Sequence, residues 1–324
     1  MYDWIRKITS GESGWLRMFA LIPRPVVRML CVITAWVLTA LPAAGLSVKV
    51  KRNMDDLLGP RPEGELRVHA RQYLFHVLMA LYEILVDSRR LTDTGRWRFR
   101  SEGEEHLTDV LKLGRGAIVY TPHTGNFFYY YWYLCQRYDC LTVATAGSPE
   151  LRPLYLRFAE LGCPGLDYDS TPPLEQFRKL RGHLQRGGVV FLLGDFWRPS
   201  FPPARFFGRM TRIPAGAAAL SIEGNVPVIP FCGWREKGFV HRLRFEPPLH
   251  LASTYNRSTR EEAANVLHAY MERVIRERPA EWFYWFNAEE RWEGAVGENG
   301  VKTGVEAAEG APAAGPPQGS TFSA

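Results

Sequence analysis

His123 lies in the run Ala117-Ile118-Val119-Tyr120-Thr121-Pro122-His123-Thr124-Gly125-Asn126-Phe127-Phe128. Imidazole is the one side chain whose ordinary pKa lets it take a proton from a hydroxyl near neutral pH and return it later. The chemistry on offer is therefore general base catalysis. The neighbouring residues predict where the imidazole sits. Ala117–Tyr120 reads as a buried strand, the next residues as a tight loop, and Asn126 onward as a helix start. Loops at the carboxyl ends of strands are where open α/β sheets keep their ligands. The plain structural alternative is a histidine that packs against, or caps, the helix start.

A second candidate closes another strand. Val189-Val190-Phe191-Leu192-Leu193 is a continuous apolar run of the kind covered on both faces. Gly194-Asp195 follows, which predicts a carboxylate on the same sheet edge as His123, with loop capping as its structural alternative. A carboxylate bonded to Nδ1 fixes the imidazole tautomer and favours the imidazolium formed during proton transfer. Asp195 is the first candidate for that role and Glu223 the second. Arg205, Arg209 and Arg212 crowd the approach to the small-residue helix Ala215–Ser221. Guanidinium groups beside a helix start suit a phosphate, a phosphopantetheine arm or an acidic carrier protein, and a generic basic loop is the alternative.

The chain of 324 residues is long enough for one large α/β domain with accessories, or for two small domains. At 46% hydrophobic and 13% aromatic it can bury a sizeable core. The formal net charge of +6 suits an anionic membrane face, and no zinc-knuckle, helix-turn-helix or RNP-like signature points to nucleic acid. Cysteines 31, 135, 140, 163 and 232 form no CxxC pair and no metal-ligand spacing, so they read as packing residues in a reducing compartment.

From Met29 to Val48 there are 20 residues without a charge, flanked by Arg24 and Arg28 before and by Lys49, Lys51 and Arg52 after. At ~1.5 Å per residue this run just reaches across ~30 Å of hydrocarbon. It predicts a membrane anchor over 1–52, either spanning or lying in the interface, with a hydrophobic helix buried on the domain as the structural alternative, although Pro42 and Gly45 interrupt it. Apolar residues at helical spacing predict two helices over 53–90, broken by Pro and Gly at 59–64. Further helices are predicted at 103–112, 126–137, 147–162, 174–186 and 259–278, with strands at 97–99, 117–120, 141–145, 189–193, 226–232 and 239–245. The last strand alternates and suggests antiparallel pairing. The aromatic run after Asn126 reads as a core helix, with the wall of an acyl-chain channel as the sharper alternative. Residues 295–324 carry Gly, Ala, Pro and Glu with hardly any large apolar side chain, which predicts a disordered tail behind a domain at 53–294.

Pro122-His123-Thr124-Gly125-Asn126 resembles the His-x4-acid box of the glycerolipid and lysophospholipid acyltransferase superfamily. It is most similar to the lipid A late acyltransferase branch and the related mannoside acyltransferases. The likeness continues in the strand-end Asp195, in Phe206-Phe207-Gly208 with Thr211, Pro214 and Gly216, and in the closing Trp-rich phrase with Arg291-Trp292. The resemblance implies a mixed sheet flanked by helices, with an N-terminal hydrophobic membrane helix. It implies fatty acyl transfer from an acyl carrier protein or coenzyme A thioester to a hydroxyl of a membrane lipid or glycolipid, on the cytoplasmic face of a bacterial inner membrane. His123 is then the general base, and Asn126, Arg152, Arg157 and Thr211 join Arg205, Arg209 and Arg212 as substrate contacts. No metal or cofactor is needed beyond the thioester co-substrate. The acid of the box falls on Phe128, which is why Asp195 or Glu223 is expected to orient His123. Two rival readings follow: an impaired enzyme that binds lipid or acyl carrier, and a thioester hydrolase. The absence of a G-x-S-x-G elbow argues against a serine hydrolase.

Overall fold

Buried strand runs and one-sided helices assemble into three layers. The computed structural model describes residues 20–41, 45–91, 95–145 and 152–293. The expected tail at 295–324, the chain start at 1–19 and the 147–151 portion of one expected helix lie outside them. Three helices come first: α1 (Arg24–Ala40), α2 (Gly45–Leu58) and α3 (Glu63–Leu85). Then follow β1 (Phe99–Glu102), α4 (Glu105–Lys112), β2 (Ala117–Thr121), α5 (Phe127–Cys135), β3 (Cys140–Ala144), α6 (Arg152–Glu160) and β4 (Gly165–Asp167). The second half holds α7 (Pro173–Gln185), β5 (Val189–Leu193), β6 (Pro203–Phe206), β7 (Arg209–Arg212), α8 (Gly216–Gly224), β8 (Val228–Lys237), β9 (Val240–Phe245) and α9 (Arg260–Glu277).

Seven strands form one sheet in the order β1-β9-β8-β2-β5-β3-β4, and β6 and β7 form a separate hairpin. β8, β2, β5, β3 and β4 run parallel, while β9 turns back antiparallel on β8 and carries β1 parallel to itself. Parallel strands need crossover helices, and these cover both faces, so the central strands are apolar throughout rather than alternating. Every residue of β2 is buried. Ile118 and Tyr120 face one core with α2, α3, α7, α8 and α9, whereas Ala117 and Val119 face a second core with α4, α5 and α6.

The expected charge-free span over 29–48 is not one helix. α1 stops at Ala40, Leu41 is extended with ψ 117°, and α2 starts at Gly45 with its axis turned by 80°. Pro42 accounts for the stop: it lacks the amide a continuing helix needs, and its ring disfavours a helical preceding residue. Among the described residues no single helix is long and apolar enough to cross a membrane, although this bent pair has the combined length and composition to do so. α1 buries Val27, Ala35 and Thr39 and leaves Met29, Leu30, Ile33, Trp36 and Val37 exposed.

Two elements had no reading in the sequence. β4 is a three-residue strand, too short to show a period. The β6–β7 hairpin turns at Phe207 (φ 51°) and Gly208 (φ 73°), between the paired residues Phe206 and Arg209. A two-residue turn with positive φ at both positions matches the right-handed strand twist, so Gly208 serves turn geometry here. A Cβ on Gly208 would meet nothing within 4 Å, so close packing is not what asks for glycine there.

Candidate active site

Strand register brings the two candidate residues together. Thr121 and Leu193 are register partners at the carboxyl ends of β2 and β5. His123 and Asp195 each follow two residues later, so adjacent parallel strands deliver them to the same height. His123 Nδ1 lies 2.6 Å from Asp195 Oδ1. The His123 amide donates to both carboxylate oxygens at 3.0 and 3.1 Å, and the indole Nε1 of Trp282 donates to Oδ2 at 2.7 Å. An ionised carboxylate only accepts, so Nδ1 carries a ring proton, and in the neutral ring Nε2 is the nitrogen with the lone pair. Burial pushes the Asp195 carboxyl up, but attraction to the His123 ring and its hydrogen bond, the Arg291 charge and the Trp282 bond outweigh it and hold the group below the usual carboxylate range.

Two glycines make the close fit possible. A Cβ on Gly194 would come within 1.9 Å of the Tyr120 hydroxyl oxygen. Gly125 has φ +57°, and a Cβ there would lie 2.1 Å from the Tyr130 hydroxyl oxygen. Any larger residue at either position displaces a buried tyrosine.

The Trp-rich C-terminal phrase forms the roof. The Gly125 amide donates to the Glu281 carbonyl at 2.9 Å, and the Phe283 amide donates to the His123 carbonyl at 2.8 Å. Thr124 and Trp282 form an antiparallel bridge between the two segments. This clamp places the Tyr284 hydroxyl 3.3 Å from His123 Nε2. Arg291 donates from Nη1 to the Asp195 main-chain carbonyl at 2.6 Å, and its guanidinium sits 3.5 Å from the centroid of the Tyr284 ring. The imidazole is bordered by Phe127 and Tyr284, each with ring centroids 4.8 Å away, and is 8% exposed.

Beneath the loop is a buried ionic cluster. Arg235 grips Glu83 through two bonds of 2.6 Å, and His241 Nε2 is 3.1 Å from Glu83 Oε1. Burial drives the Glu83 carboxyl up, but Arg235 and His241 overcome it and keep the group ionised. Asn126 joins this cluster to the site: its Nδ2 donates to Glu83 at 2.9 Å while its Oδ1 caps α5 by accepting from the Tyr129 amide at 3.2 Å. Such a cap contributes roughly 1 kcal/mol. A complete buried ion pair adds little net stability, whereas breaking one costs about 3–5 kcal/mol. The cluster therefore fixes where the His123 loop starts its helix.

Of the expected substrate contacts, Asn126 has both ends of its amide engaged inside the protein. Thr211 is also buried, with Oγ1 donating to the Arg291 carbonyl at 2.6 Å, so it holds Arg291 in place. Arg209 makes two 2.6 Å bonds to Asp56, Arg212 pairs with Glu293 at 3.0 Å, and Arg157 pairs with Glu160 at 3.1 Å. Arg152 and Arg205 are exposed, at the start of α6 and on β6. Glu223, the second candidate for orienting His123, sits on α8 and faces Arg257 at 3.5 Å. Trp282, Tyr284 and Arg291 escaped notice as site residues. Their sequence signal is the Trp-rich closing phrase itself, where polar-tipped aromatics and an arginine cluster within a few residues.

The profile of the bacterial lipid A biosynthesis acyltransferase family matches residues 6–292, nearly the whole chain. The chain belongs to that family. It is 35% identical over 158 residues to a phosphatidylinositol mannoside acyltransferase of Mycolicibacterium smegmatis, covering 46% of this chain and 50% of that protein. It is 34% identical over 143 residues to a phosphatidylinositol mannoside acyltransferase of Mycobacterium tuberculosis, covering 41% and 43%. The chain thus matches about half the length of these curated relatives. A 1-acyl-sn-glycerophosphate acyltransferase structure from Thermotoga maritima aligns over 81% of this chain and all of its own, at a TM-score of 0.38 and 11% identity.

Proposed function

We propose that this family member transfers a fatty acyl chain from a thioester, on acyl carrier protein or coenzyme A, to a hydroxyl of a glycolipid. The observation that carries the reading is the 2.6 Å bond from His123 Nδ1 to Asp195, which leaves Nε2 as the free base. The acceptor hydroxyl donates to Nε2. Its oxygen attacks the thioester carbonyl as the proton passes to the ring, and the imidazolium is stabilised by the buried Asp195 carboxylate. The tetrahedral intermediate collapses, and the departing thiolate takes the proton back from Nε2. The step needs no covalent enzyme intermediate. A glycolipid acceptor is supported by the names of the curated relatives.

Phe128 does not argue for an impaired enzyme. Its ring stacks on Phe127 at 4.8 Å and packs at a tilt against Phe158 at 5.0 Å, while Nδ1 already has its carboxylate. Purified protein given acyl thioester and glycolipid should yield acylated glycolipid by mass spectrometry, and Phe128→Glu should show no gain in rate. A gain of about tenfold or more would mean that the wild type lacks an orienting acid. Thioester loss at the same rate without acceptor would point to a hydrolase instead.

The reading places the protein on the cytoplasmic face of the bacterial inner membrane. Support comes from the exposed apolar side of α1, where Met29, Leu30, Ile33, Trp36 and Val37 recur at helical spacing, with Arg24 and Arg28 at its start. Such a stripe suits a helix lying in the headgroup region. Sedimentation with anionic lipid vesicles should be lost in the double variant Leu30→Asp, Ile33→Asp, with the folded state intact; full retention would remove α1 from this role.

A further inference from the structure

The Tyr284 hydroxyl is 3.3 Å from the nitrogen that must receive the acceptor's proton. Because Nδ1 gives its hydrogen to Asp195, Nε2 has only a lone pair, and the phenol is the donor in this contact. A reacting hydroxyl must also come within about 3 Å of Nε2, so the thioester carbon it attacks lies only a bond further on. A phenol O–H held one hydrogen-bond length from Nε2 is therefore within reach of the carbonyl oxygen of that thioester.

The hydroxyl is also held in advance. The flanking backbone is tied to the His123 loop by the Phe283 amide, and the neighbouring Trp282 indole is tied to Asp195. The Arg291 guanidinium lies against the face of the Tyr284 ring and is itself fixed to the Asp195 carbonyl. A cation there favours build-up of negative charge on and around the phenol oxygen. Both features are what a donor to a developing oxyanion requires: little reorganisation and a positive local field.

We infer that Tyr284 is a further catalytic residue, whose O–H leaves Nε2 and donates to the oxyanion of the tetrahedral intermediate. This rests on the acyl-transfer reading above. The acceptor O–H bond breaks and its proton goes to Nε2. The new carbon–oxygen bond forms as the carbonyl electron pair moves onto oxygen, where the Tyr284 hydrogen bond meets it. On collapse that pair re-forms the carbonyl, the carbon–sulfur bond breaks, and sulfur leaves with the electrons and takes the Nε2 proton. Tyr284 then returns to Nε2, unchanged.

Tyr284→Phe removes one oxygen and keeps the ring under Arg291. With a defined acyl thioester and glycolipid, kcat should fall by about 10²-fold while both KM values move by no more than about twofold. The thermal midpoint should stay put, because the ring packing is preserved. An unchanged kcat, a raised kcat or a loss confined to KM would overturn the assignment. A raised kcat would mean that the phenol merely covers the base. A wild type that transfers no acyl group from either donor would sink the acyl-transfer reading and this inference with it. An active wild type beside an equally active Tyr284→Phe would sink the inference alone.

Discussion

His123→Ala is expected to lower acyl-transfer turnover by about 10²–10⁴-fold, the range attributed to a positioned general base. The variant keeps the β2 and β5 register that frames the site, because both strands are held by apolar burial and ladder bonds rather than by the imidazole. It does strip one donor from Asp195. That carboxylate still accepts from the residue 123 amide and from the Trp282 indole, so the fold should survive with a loss on the order of 1–3 kcal/mol. Turnover and thermal midpoint measured together separate the two effects. Partial recovery of rate on adding free imidazole would locate the defect in the missing base. Turnover equal to wild type would remove His123 from the chemistry.

Asp195→Asn should be nearly as damaging, with a fall of roughly 10³–10⁴-fold, for a different reason. Three hydrogens converge on the carboxylate: the His123 amide, His123 Nδ1–H and Trp282 Nε1–H. An asparagine offers one accepting oxygen and an amide that donates. If the amide turns toward Nδ1, the ring proton moves to Nε2 and the base loses its lone pair. If it turns toward the indole, two donors face each other in a buried site at a cost of about 1–3 kcal/mol. The pH dependence carries a sign. The folded-state pKa of Asp195 is depressed, so its stabilising contribution is present above the ordinary aspartate range and is lost as pH falls through the folded value. The stability gap between wild type and Asp195→Asn should therefore be full at neutral pH and shrink on acidification below about pH 4. A gap that widens with acid would contradict an ionised Asp195. Rates unchanged in the variant would show that the tautomer is set by something else.

Much of this was legible before any coordinates. β2 and β5 announce themselves as apolar runs, and His123 and Asp195 as polar residues just beyond their ends. The helical period marks α7 and α9 to within a residue of the observed bounds, and α3 at its start, because each buries an apolar stripe in the core. The alternating pattern of β9 foretold its antiparallel pairing with β8. Local chemistry misled in two places. The unbroken lack of charge over 29–48 suggested one helix, yet Pro42 ends α1 and the chain turns. Arginines 209 and 212 looked available for phosphate, but each meets a carboxylate on a distant segment, Asp56 and Glu293.

Residue order alone was enough for the kinds of element, their faces and a histidine at a strand end, since periodicity and turn preferences act over a few neighbouring positions. Tertiary packing decided what surrounds that imidazole. Asp195 reaches His123 across 72 residues of sequence, Trp282 reaches Asp195 across 87, and Tyr284 reaches His123 across 161. No local preference encodes such distances. They arise because parallel strands in register align their ends, and because the closing aromatic segment finds its amide partners only on the loop those ends create.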